Sequence, residues 1–345
     1  MIPSVRKLRV LVLMHDYLVP PADVTGVDTR AAPWRTEYDV LTTLREELAH
    51  DVHVLGVKDD LGAIRQANYE FKPHIAFNLM EAFHEVGTFD QNVVSYLELL
   101  RLPYTGCNPR GMFLARDKAL SKKLLHYHRI PVPEFTVVER GRKPRLPKRL
   151  TYPAIVKSLT QESSIGISQA SVVADEARLL ERVQFIHDSI KTDAIVERFI
   201  EGRELYSAML GNQRLQVFPV WEMTFAKMSE DQHRIATERV KWNAKYQEKF
   251  GIDTGAASSI DDAVQARIQH IARRTYRVLE QSGYSRVDLR LDADNRVYVL
   301  EANPNPQIAK GEDFADAAQA AGLTYAALLQ RILTTGLRWE PERMG

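Results

Sequence analysis

The sequence predicts an α/β domain followed by two α+β lobes, and three observations support this order. Strand and helix patterns alternate through about the first 110 residues, as in an open α/β sheet. Strand patterns then dominate residues 153–220, and a hairpin pattern at 285–306 precedes a terminal helix. We therefore predict an N-terminal α/β (Rossmann-like) domain at residues 1–115, a small central lobe at 116–200 and a C-terminal lobe at 201–345.

The first domain opens with a nearly continuous apolar run at residues 7–14, which is typical of a strand covered on both faces. A helix, two strands, a second helix and a short strand are predicted after it. In order, these patterns occupy residues 37–49, 51–57, 74–80, 89–102 and 103–106.

The two later lobes begin with a helix that starts near residue 117 and ends at two prolines. The predicted strands occupy residues 153–158, 193–200, 204–210 and 214–220, with a helix near 175–190. A polar segment at 226–256, a helix at 262–282, the hairpin and a helix at 324–336 complete the chain.

Composition excludes several classes of protein. The chain has 345 residues, 45% of them hydrophobic, and a net charge of +1, so no overall field favours nucleic acid or an anionic membrane. A single cysteine, Cys107, excludes an intrachain disulfide framework. We expect a cytoplasmic protein, because no signal sequence and no apolar run of about 18 residues is found.

The hairpin at residues 285–306 has one apolar and one polar face. A turn centred on residues 294–295 sets Asp288 opposite Glu301, and Arg286 opposite Asn303. Two facing carboxylates repel unless a cation lies between them, and oxygen ligands of this kind suit Mg²⁺ together with nucleotide phosphates. The hairpin therefore predicts a metal and phosphate site; a solvated polar face is the alternative.

Two other segments are candidates for a nucleotide site, although the chain contains neither a P-loop nor a dinucleotide-binding motif. Lys157 ends a strand, and the Ser-rich loop after it can fold backbone N–H groups over phosphates. The apolar linker at residues 197–204 can enclose an adenine. A plain hairpin loop and ordinary interior structure are the respective alternatives.

Taken together, these motifs resemble the ATP-grasp fold. Lys118 in "DKALSKKLL", Lys157 with "ESSIGIS", "VERFIEGRE", "AKY" at 244–246 and "RVDLRL…YVLEANPNP" occur in its order and spacing. Within that superfamily, the chain resembles the D-alanine–D-alanine ligase family over nearly its whole length.

The resemblance implies sites for ATP and for two Mg²⁺ ions, with Mn²⁺ as a substitute. The implied ATP ligands are Lys118, Lys157 and Ser164 at the phosphates, Glu197, Phe199 and Ile200 at the adenine, and Glu204 at the ribose. The implied metal ligands are Asp288, Glu301 and Asn303.

The resemblance also implies the catalytic residues. Arg286 is implied to stabilise an acyl phosphate and the oxyanion that follows it, and Lys245, on a mobile loop, to neutralise the transferring phosphoryl group. Tyr246, Ser163 and Glu37 are implied to form a hydrogen-bonded trio that positions substrate. In the family, a tyrosine at the position of Tyr246 goes with amine acceptors, which favours amide formation over ester formation.

The chain departs from the family pattern at both substrate segments. Residues 15–34 replace a short Gly-rich turn, and Gln307 stands where the family has glycine. Lys310, Glu312 and Asp313 follow, either as solvated charges or as partners for a substrate carboxylate and a cationic group.

The sequence thus predicts an ADP-forming carboxylate–amine ligase with small amino-acid or peptide substrates. The nearest named activity is that of a D-alanine–D-alanine ligase, and a specialised dipeptide ligase is equally compatible. The alternative function is an ATP-binding protein that has lost ligation and serves as a regulatory or structural partner. No nucleic-acid or membrane partner is expected, and a homodimer is one option for the assembly.

Overall fold

The computed structural model describes residues 7–161 and 163–341, whose strands form three sheets. In the first sheet, β1 (Arg9–His15) lies between β2 (Asp51–Val57) and β3 (Ile75–Asn78), parallel to both. Residues 10–14 are fully buried because helices cover both faces, as the apolar run predicts. The helices of this region are α1 (Arg35–Thr42), α2 (Gly62–Phe71) and α3 (Asp90–Leu99).

The second sheet is antiparallel and has the strand order β4-β7-β5-β6. Asp117 separates the two helices that lead into it and caps the second, where its Oδ1 accepts hydrogen bonds from the backbone N–H groups of Ala119 and Leu120. The elements are α4 (Pro109–Arg116), α5 (Lys118–Tyr127), β4 (Phe135–Val138), β5 (Ala154–Ser158), β6 (Val172–Val173), α6 (Glu176–Phe185) and β7 (Ala194–Arg198).

The third sheet is antiparallel and has the order β11-β10-β8-β12-β13, with β9 paired to β8. Its strands are β8 (Arg203–Leu210), β9 (Gln216–Val217), β10 (Trp221–Phe225), β11 (Ile252–Ala256), β12 (Tyr284–Leu291) and β13 (Val297–Pro304). Its helices are α7 (Glu238–Trp242), α8 (Ala244–Phe250), α9 (Asp262–Val278), α10 (Asp313–Ala320) and α11 (Tyr325–Leu337). Helix α9 packs against Val287 and Leu289 of the hairpin, while α11 packs under β1 of the first sheet.

The hairpin has the predicted register at its functional end. Asp288 pairs with Glu301 and Arg286 with Asn303, whereas Leu289 pairs with Val299. Leu300 is therefore the extra residue of a β-bulge, which shifts the register by one residue between the turn and the site.

Some elements differ from the sequence prediction. The predicted strand at 103–106 is a single parallel bridge from Tyr104 to Ala76, and the strand predicted at 214–220 is reduced to β9. The polar segment at 226–256 contains α7, α8 and β11, which were not predicted because these short charged elements lack a clear apolar period.

None of the helices in residues 7–161 and 163–341 is both long enough and apolar enough to span a membrane. The three sheets lie within the three predicted regions of the chain. Helix α11, from the third region, packs in the same apolar core as β1 of the first sheet. The boundaries after residues 115 and 200 stay predictions.

Candidate active site

A cavity of about 1230 Å³ opens at the polar face of the β12–β13 hairpin. Arg286, Glu301 and Asn303 line it from the hairpin. Thr160, Gln161, Ser163 and Ile165, after β5, and residues around α7 close it from other sides, and residues from 30–35 and 80–90 line the side next to the first sheet. The cavity therefore brings together segments that lie far apart in the sequence.

Arg286 is held in one orientation by groups around its guanidinium. Its Nε and Nη2 donate to the two carboxylate oxygens of Asp288 at 2.7 and 2.9 Å, and its Nη1 lies 3.6 Å from Asp313 Oδ2. The guanidinium also lies over the Tyr206 ring, 4.6 Å from the ring centroid. A cation fixed in this way is preorganised for negative charge that develops in the cavity.

The two facing carboxylates of the hairpin titrate apart, as like charges at close range must. Burial raises the pKa of Asp288, although the ion pair with Arg286 opposes this change. For Glu301, burial also works against ionisation, but surrounding cations outweigh it and hold the pKa at about 2. In decreasing order of influence, these cations are Lys118, Lys241, Lys157 and Arg286.

The donor set at this face fits a hard divalent cation that is also coordinated by phosphate. Asp288 and Glu301 offer carboxylate oxygens and Asn303 its amide oxygen, while the buried Asn303 Nδ2, a donor without a hydrogen-bond partner in the described part of the chain, suits a phosphate oxygen. Within residues 7–161 and 163–341, no three His, Cys, Asp or Glu side chains form a metal-binding group. Mg²⁺ usually takes one or two carboxylates together with phosphates and water rather than a protein cage.

Lys118 connects the hairpin to the Ser-rich loop. Its Nζ donates to the backbone oxygen of Gln161 at 2.6 Å and lies 3.8 Å from Glu301 Oε2. Because Asp117 caps α5, Lys118 stands at the first residue of that helix, beside the carboxylate of Glu301.

Lys157 and Glu197 form a buried charge cluster with a third residue, Lys122, that the sequence interpretation missed. Glu197 lies 3.2 Å from Lys157 Nζ and 3.4 Å from Lys122 Nζ. The Lys122 ammonium also donates to the Leu300 carbonyl at 2.5 Å. Burial opposes the charge on Glu197, but the two ammonium groups hold its pKa below the ordinary value. Leu300 is the bulged residue, so Lys122 satisfies a carbonyl at the irregular point of the hairpin.

The predicted adenine and ribose residues lie on or after β7 and on β8. Ile200 is buried, and Phe199 packs with the buried cluster of Ile155, Val172 and Ile235. Glu204 is buried and lies 3.0 Å from Arg290 Nη2. These contacts form a packed apolar cluster, and an adenine site among these residues stays a prediction.

The predicted trio of Ser163, Tyr246 and Glu37 is not joined by hydrogen bonds within the described residues. Ser163 lines the cavity, and its carbonyl accepts from the Trp242 indole Nε1 at 3.2 Å. Ser164, the other predicted serine, lies in the same turn, where its carbonyl accepts from Ile167 N. Tyr246 packs against Phe250 with ring centroids 4.5 Å apart and the rings tilted, and it lines a second, smaller cavity, while Lys245 is exposed. The roles of these residues stay predictions.

Glu37 is buried on α1, with only 5% of its surface exposed. Burial, with a smaller contribution from the charge of Glu81, raises the pKa of Glu37 from 4.5 to about 7. This carboxyl is therefore partly protonated at neutral pH and offers a substrate ammonium only a fraction of a negative charge.

The shifted carboxyl predicts a pH-dependent effect of Glu37→Gln on stability. Between pH 4.5 and 7, the unfolded chain loses this proton while the folded chain keeps it, so the wild-type free energy of unfolding falls as pH rises. Above pH 7 the variant should be more stable than wild type by about 3 kcal/mol. Urea unfolding of both proteins below pH 4.5 and above pH 7 measures this difference; an equal difference at both pH values would contradict a protonated Glu37.

The substrate side of the cavity contains the residues that depart from the family pattern. Arg35 Nη1 lies 3.3 Å from Glu312 Oε1, and its Nη2 donates to the Lys310 carbonyl. Lys310 Nζ turns away toward Glu47 Oε1, 3.5 Å distant, so of the open alternatives for Lys310 the structure favours a solvated charge. Glu312 and Asp313 do line the cavity, which favours their contact with substrate over bulk solvent.

Comparison with known proteins identifies related sequences. The family model described as "D-ala D-ala ligase C-terminus" matches residues 124–334, more than half of the chain. The D-alanine–D-alanine ligase of Desulforudis audaxviator is 34% identical over 248 residues, which cover 71% of this chain and 76% of that protein. An uncharacterized protein of Sinorhizobium fredii, y4sG, is 32% identical over 264 residues, covering 76% of this chain and 75% of that protein.

The solved D-alanine–D-alanine ligase of Bacillus anthracis, in complex with ATP, has a similar structure. The TM-score is 0.74 over 96% of this chain and 98% of that chain, at 20% sequence identity. This likeness confirms the predicted fold, an ATP-grasp protein with an N-terminal α/β domain and α+β lobes.

Proposed function

Because this chain belongs to the D-alanine–D-alanine ligase family and is an ATP-dependent ligase, we propose that it joins a carboxylate to an amine through an acyl phosphate and releases ADP. The observation that carries the proposal is the polar face of the hairpin, where Asp288 and Glu301 face each other beside the fixed guanidinium of Arg286. An ATP-binding protein without ligation would not need this guanidinium, and the relatives favour the ligase.

ATP and a divalent metal are used by the family, and we propose that Asp288, Glu301 and Asn303 hold two Mg²⁺ ions. Their side-chain oxygens suit such ions, and the unpartnered Asn303 Nδ2 suits a phosphate oxygen beside them. When bound, the metal supplies positive charge to the phosphate oxygens during phosphoryl transfer.

We propose that Lys118 and Lys157 bind the phosphates, with Ser164 beside them on the Ser-rich loop. Lys157 pairs with Glu197, but Lys122 pairs with the same carboxylate. Lys157 can therefore turn to a phosphate without leaving Glu197 uncompensated. Glu197 then accepts a hydrogen bond from the adenine amine, Phe199 and Ile200 enclose the ring, and Glu204 binds the ribose.

The donor carboxylate must be activated, and the acyl phosphate formed from it must be protected from water. A carboxylate is a poor electrophile, and its phosphorylation creates the leaving group that an amine can displace. Amine attack forms an oxyanion, which we assign to Arg286. Acyl phosphates hydrolyse, so the loops that carry Ser163 and α7 serve to exclude water.

The substrates are proposed to be small: an amino-acid or peptide carboxylate as donor and an amine as acceptor. Glu312 and Asp313 lie at the N-terminus of α10 and line the cavity. Each faces an arginine that lines the same cavity, Glu312 facing Arg35 and Asp313 facing Arg286, so these carboxylates do not by themselves exclude an acceptor carboxylate. The absence of a nucleic-acid partner, the homodimer option and the cytoplasmic location stay predictions from the sequence.

The proposed function is tested by ADP release from the full chain with Mg²⁺, ATP and a panel of carboxylates and amines. For a productive pair, a carboxylate labelled with oxygen-18 should pass one label to the released phosphate, and chelation of the metal should stop turnover. Hydroxy acids offered in place of amines test amide against ester formation. Tight ATP binding without ADP release for any pair would instead support the non-ligating alternative.

Matched variants connect this activity to the hairpin. Glu301→Gln should lower kcat about 100-fold or more, because a metal ligand loses its charge. Asp294→Asn in the exposed turn of the same hairpin should leave kcat unchanged, since its side chain is 72% exposed and far from the site. Equal rates for the two variants would contradict the proposed metal site.

A further inference from the structure

Tyr206, on β8, is buried next to the guanidinium of Arg286 and was not indicated by any sequence pattern. We infer that Tyr206 is a positioning residue for the reaction: its ring keeps Arg286 in the orientation that meets the oxyanion, and its hydroxyl fixes the ring to Glu204. This inference rests on the proposed function, in which Arg286 stabilises the oxyanion.

The register of β8 and β12 brings Tyr206 and Arg286 together. Tyr206 pairs with Asp288, and Ala208 pairs with Arg286, so all four side chains share one face of the sheet. Ala208 is small and does not obstruct the long side chain opposite it. Arg286 therefore extends over its diagonal neighbour, and its guanidinium lies 4.6 Å from the centroid of the Tyr206 ring.

The ring restrains Arg286 in a direction that the carboxylates do not. A guanidinium donates hydrogen bonds in its own plane, and in this way Asp288 holds two of its nitrogens at 2.7 and 2.9 Å. The Tyr206 ring instead packs against the central carbon of the guanidinium and limits its movement toward β8. Orientation matters at a reaction centre, where a displacement of about 1 Å can cost about 100-fold in rate.

The ring is itself fixed through its hydroxyl. Tyr206 Oη donates to Glu204 Oε1 at 3.2 Å, and Glu204 Oε2 accepts from Arg290 Nη2 at 3.0 Å. All three side chains are buried, so water does not compete for these contacts. Burial and the charges of Glu204 and Asp288 raise the pKa of Tyr206 well above its ordinary value, so the hydroxyl keeps its proton and stays a donor.

This arrangement also connects two parts of the proposed site. Tyr206 lines the large cavity together with Arg286. Glu204 is the carboxylate that we assign to the ribose of ATP, and the same carboxylate fixes the ring that packs on Arg286. A single tyrosine thus lies between the proposed ribose site and the group that we assign to the oxyanion.

The first test compares Tyr206→Leu with the matched variant Tyr298→Leu in the full chain. Tyr298, on β13 of the same sheet, also packs under an arginine, but that residue is Arg198, 5.5 Å from the ring centroid. At saturating Mg²⁺, ATP and one productive substrate pair, Tyr206→Leu should lower kcat about tenfold. The ATP dissociation constant should stay within about threefold, and Tyr298→Leu should keep kcat within about twofold of wild type.

The second test asks whether Tyr206 acts through Arg286. If it does, adding Tyr206→Leu to Arg286→Met should change kcat by less than about twofold, because the group that Tyr206 positions is already absent. Tyr206→Phe keeps the ring and removes only the hydroxyl, so it should lower kcat about threefold. Thermal unfolding shows whether each variant folds; if Tyr206→Leu does not, Tyr206→Phe replaces it, and its smaller loss should likewise disappear beside Arg286→Met.

The results separate this inference from the proposed function. An active wild type with a normal kcat in Tyr206→Leu, or an equal loss from Tyr206→Leu with and without Arg286, overturns the inference and leaves the ligase function intact. If wild type binds ATP but releases no ADP with any substrate pair, the ligase proposal fails. Crystal structures then decide the position of Arg286: its guanidinium should move in Tyr206→Leu and not in Tyr298→Leu, and an unmoved guanidinium in both would overturn the inference.

Discussion

Replacement of Arg286 by methionine is expected to lower kcat by about 10³-fold at saturating Mg²⁺ and ATP, while the dissociation constant for ATP stays within about threefold. The guanidinium is expected to act on charge that appears during the reaction, so ground-state nucleotide binding does not depend on it. Steady-state kinetics for one productive substrate pair, together with equilibrium ATP binding, measures both quantities.

The expected size of the effect follows from how Arg286 is held. Asp288 fixes two of its nitrogens, Asp313 lies near the third, and the Tyr206 ring covers one face. A donor that is already oriented costs no reorganisation when the oxyanion forms, which makes it more effective than a mobile cation. Arg286→Lys should therefore recover only a small part of the rate, because lysine cannot reproduce the two-pronged contact.

A purely structural role for Arg286 gives a different result. If Arg286 only holds Asp288 in place, then its loss should raise the Mg²⁺ concentration needed for activity, and excess Mg²⁺ should restore kcat. Arg296→Met is the matched control, because Arg296 pairs with Asp292 and Asp294 in the exposed turn of the same hairpin. A normal kcat for Arg286→Met at saturating Mg²⁺, or an equal loss in Arg296→Met, would refute the oxyanion assignment.

The hairpin is the part of the site that local patterns predict best. Period-2 alternation predicted which residues share a face, and Asp288 does face Glu301 as predicted. The bulge at Leu300 could not be predicted from the alternation within one strand, because an extra residue is recognised only when the pairing of both strands is known. Between the turn and Leu289 the pairing is one residue off the prediction, and the bulge at Leu300 shifts it back, so the predicted pairing holds at Asp288 and Glu301.

Lys122 was missed although the sequence contains a signal for it. Lys118 and Lys122 are four residues apart on a predicted helix, and like charges at that spacing repel unless an anion faces them. Both lysines are buried, and their anions come from β7 and β13, which lie far along the chain. A pattern within α5 can therefore predict that anions are needed, but not which residues supply them.

The segments around the substrates could not be predicted for a related reason. Helices α7 and α8 are five and seven residues long and are held by contacts such as Trp242 with Ser163, rather than by an apolar stripe. Short helices have little stability of their own in water, so tertiary contacts decide their position. The motif "AKY" was therefore assigned to the cavity by resemblance; its Ala244 lines the cavity, and the roles of Lys245 and Tyr246 stay predictions.

Replacement of Glu197 by glutamine is expected to lower the free energy of unfolding by about 3–5 kcal/mol, because two buried ammonium groups lose their shared partner. The side chains of Glu197 and Lys122 are each only 1% exposed, so water cannot compensate for the lost charge. Glutamine keeps the shape of the side chain, which separates the charge effect from packing. Urea unfolding at neutral pH measures the difference from wild type.

The pH dependence of this loss identifies its cause. Burial already lowers the pKa of Lys122 from 10.5, and without Glu197 the pKa should fall further. A lysine whose folded pKa lies below its unfolded value destabilises the fold fully at low pH, and this penalty disappears as pH rises toward 10.5. Glu197→Gln should therefore approach wild-type stability at alkaline pH, and the double variant with Lys122→Met should recover part of the loss at neutral pH. A loss of stability that is independent of pH and unchanged in the double variant would mean that Glu197 stabilises the fold by packing. In that case Lys157 would not need Lys122 as a second partner of Glu197 when it turns to a phosphate.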